Sequence, residues 1–110
     1  MTSQLADNKK LTIIFRVEPG CLGPEGDKLI EDFCVYSNSH IQDFEAEMIN
    51  WQILPRNDKS LEEMQYMLND KRLSEEKAQR YLNMFNKEIS QFEESLHEKI
   101  ADLIDQFSNR

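Results

Sequence analysis

The chain reads as an α+β domain in the order β-α-β-β-α, a two-layer sandwich that closes on a long C-terminal amphipathic helix. Three observations predict this. A β-branched run near the start, LTIIFRV, alternates in polarity like a strand. All three glycines and two of the three prolines follow it directly, in EPGCLGPEG. The last third of the chain then repeats an apolar residue every three or four positions with no Gly or Pro. A length of 110 residues with 39% hydrophobic side chains supports one core, hence a single domain over 11–110.

The polar residues 1–10 are expected to form a disordered tail. In Leu11–Val17, Leu11, Ile13, Phe15 and Val17 share one face. The Gly/Pro segment leads into a helix from Pro24 or Asp27, where Pro suits the first turn and acids suit the positive dipole end. Leu29, Ile30, Phe33 and Cys34 are its inward stripe, and Ser37-Asn38-Ser39 its frayed end. Between Phe44 and Leu54 an alternating pattern changes phase at Met48–Ile49, so a long strand with one β-bulge is expected there, ended by Pro55.

Residues 60–70 fit two templates. Ser60 to Glu63 matches a capping box, while Met64, Tyr66 and Leu68 alternate as a strand. The strand is favoured because it gives 44–54 a hairpin partner, with Asn69-Asp70-Lys71 as the following turn. From Ser74 to Ser108 the spacing predicts one helix, capped by Ser74, with Ala78, Leu82, Phe85, Ile89, Phe92, Leu96, Ile100, Leu103 and Phe107 in its stripe. The resulting layout is a split βαβ unit, half of a ferredoxin-like arrangement, with the third strand between the first two and both helices on one face.

Charge narrows the partners. Thirteen basic and 21 acidic residues give a net charge of −8, spread evenly over both halves. Neither nucleic acid nor a membrane surface is an expected partner. No apolar run is long enough to span a bilayer, and the first residues, MTSQLADNKK, lack the apolar region of a signal peptide. Two cysteines without a CxxC motif fit free thiols in a reducing, cytoplasmic setting, and no zinc site or other cofactor is expected.

The Gly-rich loop is the one segment with a ligand-binding alternative. Gly20, Cys21, Gly23 and Gly26 stand before a helix N-terminus, where amide donors favour anions. Their spacing matches neither a dinucleotide fingerprint nor a P-loop, and Glu18 and Glu25 repel phosphate. A rigid strand-to-helix connection is therefore favoured. Cys34 reads as core and Cys21 as a loop thiol. His40 and His97 have no sequence-near partner, and paired acids such as Glu93-Glu94 read as surface. No catalytic residue is assigned.

A helix of 35 residues would be about 50 Å long, against roughly 30–35 Å for a compact domain of this size. Its stripe then needs a cover, so Phe92, Leu96, Ile100, Leu103 and Phe107 are expected to form a homodimer interface, the alternatives being a bend near Ser95 that folds the last turns onto the same chain's sheet, or a different binding protein. The functional expectation is a non-enzymatic, self-associating interaction or regulatory module in the cytoplasm. Other expectations stay open: a small ligand-binding protein or thiol enzyme built on residues 18–27, and a regulatory subunit whose acidic surface meets another, basic protein.

Overall fold

The computed structural model describes residues 9–110. It is an α+β structure of four strands and three helices. The strands are β1 (Leu11–Val17), β2 (Ile49–Pro55), β3 (Met64–Leu68) and β4 (Lys71–Leu73). The helices are α1 (Gly26–Ile41), α2 (Glu75–Asn83) and α3 (Ile89–Ser108), with a short 3-10 turn at Pro19–Leu22. The expected class, with helices layered on one sheet face and a long final helix, is what the chain adopts.

The strand order is β2-β1-β3-β4. β1 and β2 are parallel neighbours, with Ile13 opposite Trp51. β3 lies on the other flank of β1, antiparallel, with Ile13 opposite Tyr66. The third strand therefore does not sit between the first two, and it pairs with β1 rather than forming a hairpin with residues 44–54. The physical reason lies at both flanks of β1. Its inward side chains are at most 3% exposed, which suits a central lane. The outer edge of β2 is already occupied by α1. The Asn38 amide accepts from the Ile53 N–H at 2.8 Å and donates to the Ile53 carbonyl at 2.9 Å. A side chain thus takes the ladder positions of a further strand and blunts the edge.

Three other expectations are corrected. The segment before Ile49 is a run of turns, not strand with a bulge. Glu45 has a left-handed φ of 50°, and its carbonyl accepts from the N–H groups of both Met48 and Ile49. β3 is followed by a fourth strand instead of a turn alone. The two-residue connection Asn69-Asp70 has φ of 53° and 65°, the backbone of a tight hairpin turn that matches strand twist. α1 runs on to Ile41. In the tail, residues 1–8 lie outside the described residues. Lys10 is buried, and the Lys9 carbonyl accepts from the Tyr81 hydroxyl at 3.0 Å.

The largest correction concerns the helix over 74–108. It is two helices. α2 ends in a reversal at Asn86, φ 60°, where the Lys87 N–H reaches back to the Leu82 carbonyl. This six-to-one bond around a left-handed residue is the Schellman C-cap, made here with Asn instead of Gly. The Gln79 side chain bridges the break, accepting from the Ile89 N–H at 2.8 Å and donating to the Lys87 carbonyl at 3.2 Å.

The break turns α3 onto the chain's own sheet. Phe92 stacks on Trp51 and Phe107 meets Phe33 of α1 edge-on. Phe92, Leu96, Ile100, Leu103 and Phe107 are all at most 5% exposed. The expected dimer stripe is therefore core, covered by β1, β2 and α1 of the same molecule. α2 closes the end of the sheet where β1 and β2 begin. Its Tyr81 hydroxyl accepts from the Leu11 N–H and shares its single proton between the Lys9 and Met48 carbonyls.

Candidate functional site

The Gly-rich loop lies at the C-terminal ends of the parallel pair β1 and β2, where βαβ units commonly build ligand sites. Here the position is taken by the chain itself. The Arg56 N–H donates to the Val17 carbonyl, bringing the turn after β2 against the loop. Glu18 accepts from the Arg56 guanidinium at 2.8 Å, with Lys59 3.9 Å away. An internal carboxylate thus fills the cationic corner that an anion would use. Two of the glycines have conformational reasons. Gly23 has φ 93°. Gly26 is buried so tightly that a Cβ would stand 1.7 Å from the Pro19 carbonyl oxygen. Gly20 has open space around it. The thiol of Cys21 is exposed and that of Cys34 buried, as expected. Burial, then the charge of Glu31, pushes the Cys34 thiol up to about 11, so it stays protonated at neutral pH.

A second concavity, about 390 Å³, opens where β4 stops short of covering β3. Glu62, Tyr66, Arg72, Glu75 and Glu93 line it. The Tyr66 hydroxyl donates to a Glu93 carboxylate oxygen, and Arg72 pairs with Glu62. Burial and the Glu93 bond hold the Tyr66 phenol protonated well above its usual range. Two pairs thus tie the walls of this cavity together, and the Tyr66–Glu93 bond is a structural clasp between β3 and α3. Glu93, expected on the surface, is half-buried. His97 faces Glu63 at 3.5 Å and the edge of Phe15. His40 stacks on Tyr36. No group of metal-binding side chains occurs among the described residues.

The third feature is the sheet face that carries no helix. Thr12 and Ile14 of β1, Asn50, Gln52 and Leu54 of β2, and Gln65 and Met67 of β3 alternate with the buried positions and form its middle. None of the seven is charged. Two charged members of this face border these residues, Arg16 opposite Leu54 and Arg72 opposite Met67, and both are engaged. Arg16 donates to the Glu62 carbonyl at 2.8 Å, and Arg72 pairs with Glu62. Sequence reading missed this surface because Thr, Asn and Gln register there only as the polar half of an alternation. No helix among the described residues is long and apolar enough to cross a membrane. Comparison with protein-family models, curated protein sequences and solved structures finds no significant match.

Proposed function

We propose that the chain is a non-enzymatic interaction module that acts as a homodimer in the cytoplasm, with the open sheet face as the contact. The observation that carries this is the absence of charge over the seven central side chains of that face, in a chain with 31% charged residues. Interface cores are depleted of charge in the same way. Two copies at net charge −8 repel wherever acidic surface meets acidic surface, and this face brings them together at the least electrostatic cost. The exposed amide of Gln52 both donates and accepts, so it suits its own copy across a two-fold axis. Ile14, Leu54 and Met67 add apolar area. Two unbridged cysteines support a reducing compartment.

Sedimentation equilibrium at micromolar concentration tests the reading. The expected mass is about 26 kDa, twice the 13.0 kDa of one chain. Gln52 is exposed, so Gln52→Lys leaves the fold intact while placing like charges across the axis, and it should return the mass to that of one chain. A monomeric native protein refutes the dimer. A Gln52→Lys variant that stays dimeric refutes the face.

A further inference from the structure

A groove of about 350 Å³ separates the β3–β4 hairpin from α2, on the helix side of the sheet and opposite the open face. Leu68, Leu73 and Tyr81 form its floor, Met84 one rim, and Lys77 and Arg80 its charged wall. The hydroxyl of Tyr81 is turned inward to Leu11 and Met48, so its ring is what the groove presents. Met84 is 69% exposed and so is accessible to a ligand at the groove's rim.

The charge here is opposite to that of the molecule. Every charged residue lining the groove is basic, in a chain of 21 acidic and 13 basic residues. Of the four basic residues in 71–80, Arg72 lies on the opposite sheet face paired with Glu62, and Glu75 and Glu76 are the two acids of the stretch. One of the acids, Glu76, reaches Arg80 at 3.6 Å as an exposed pair on the solvent side of α2, which screens Arg80 weakly and leaves Lys77 unaffected. Lys71, opposite Leu68 in the hairpin, adds a third positive group at the hairpin end.

We propose that this groove docks an acidic amphipathic segment of a partner protein. Its apolar side chains would seat on Leu68, Leu73 and Tyr81, and its carboxylates would reach Lys77 and Arg80. Amphipathic helices recognise apolar grooves in this way, and the flanking charges choose among them. An anionic membrane shares the same local chemistry, but it presents an extended negative plane to a molecule of net charge −8. A short peptide feels only charges within about one Debye length, roughly 8–10 Å, where the basic wall dominates.

Fluorescence anisotropy tests the proposal, with the full chain titrated into a labelled synthetic Leu/Glu peptide about four helical turns long. The matched Leu/Lys peptide and vesicles of phosphatidylserine and phosphatidylcholine are the other arms. The acidic peptide should bind saturably, and the Lys version at least about tenfold more weakly. K77E/R80E should reverse that preference. M84D, at an exposed position, should weaken the acidic peptide about tenfold with an unchanged circular dichroism spectrum. Any of four results overturns the proposal: no saturation up to about 1 mM, equal binding of both peptides, indifference to K77E/R80E, or binding to vesicles in place of the peptide.

Discussion

Replacing each glycine of the loop by alanine separates a path constraint from a ligand contact, because the three positions differ sharply in geometry. At Gly26 a Cβ would lie 1.7 Å from the Pro19 carbonyl oxygen and 2.6 Å from its carbon. A carbon–oxygen contact needs roughly 3.3 Å, so the Pro19 turn and the start of α1 must part by about 1.6 Å. Both obstacles are backbone, so no side-chain rotation relieves them. Overpacking of this kind costs about 1–3 kcal/mol, and the shift also strains the Glu18–Arg56 pair beside it. Better helix propensity returns at most about 1 kcal/mol. The expected net loss for Gly26→Ala is about 2 kcal/mol. At Gly23 the space is open, but φ 93° with ψ −167° is a backbone state almost confined to glycine, which costs an alanine about 1–3 kcal/mol. At Gly20 neither constraint applies, and alanine should be neutral or stabilising by about 0.5 kcal/mol. Urea unfolding followed by the emission of Trp51, the sole tryptophan, reads all three variants. With slopes of about 1–3 kcal/mol/M, Gly26→Ala should lower the midpoint by roughly 1 M. A Gly26→Ala variant as stable as the parent, or a Gly20→Ala variant that is the worst of the three, refutes the reasoning.

Trp51→Ala should cost about 3–5 kcal/mol in urea unfolding followed by circular dichroism, since the indole stacks on Phe92 and donates to the Phe44 carbonyl at 2.6 Å. Ser37→Ala should stabilise by about 0.5–1 kcal/mol, because the Ser37 hydroxyl is fully buried and has no hydrogen-bond partner, so alanine removes only a desolvated polar group; a destabilised variant would reveal a bond to that hydroxyl. Leu103→Glu should unfold the monomer, with loss of the circular dichroism signal, because a carboxylate replaces a side chain 1% exposed; a folded variant of halved mass would restore the stripe as an interface. Stability should also fall with alkaline pH. The Cys34 thiol titrates near 9.0 when unfolded and about 11 when folded, so the unfolded chain sheds its proton first. The native state thus keeps this contribution below pH 9 and loses it toward 11, by at most about 2.5 kcal/mol, and a Cys34→Ala variant should show a flatter alkaline limb.

Much of the fold is legible because burial follows alternation. β1 is read correctly from Leu11, Ile13, Phe15 and Val17, all of them at most 3% exposed. The same signal misleads at Phe44–Met48, since a run of turns also places an apolar Met48 inward while Glu47 stays outward. What distinguishes it is the left-handed Glu45, a backbone state that nothing in a glutamate's chemistry announces. β4 is too short and too charged to alternate, yet Asn69-Asp70 carries turn chemistry that allows a hairpin. The position of β3 depends on Asn38, whose amide occupies the β2 edge from a residue 15 positions away. Such an arrangement leaves no periodic trace. The Tyr66–Glu93 clasp is hidden for the same reason, its partners standing 27 positions apart. The Gly/Pro loop, by contrast, is local, and two of its three glycines, Gly23 and Gly26, stand where the backbone path requires them.

The break between α2 and α3 shows how a correct pattern can support an incorrect assembly. Ala78, Leu82, Phe85, Ile89 and Phe92 keep helical spacing straight through the reversal, because residues on both sides must face the same sheet. Periodicity reports which side of the chain is buried, and it is blind to a change of axis that preserves that side. The stop signal is Asn86, since Asn tolerates the left-handed conformation nearly as Gly does and its N–H and carbonyl neighbours then close a Schellman cap. Absence of Gly and Pro is therefore weak grounds for continuity whenever an Asn sits near the middle. The consequence reaches function. A continuous helix would overhang the domain and demand a second copy along Leu96 to Phe107. A helix broken at Asn86 returns those residues to the core, and the proposed self-association turns instead to the open sheet face.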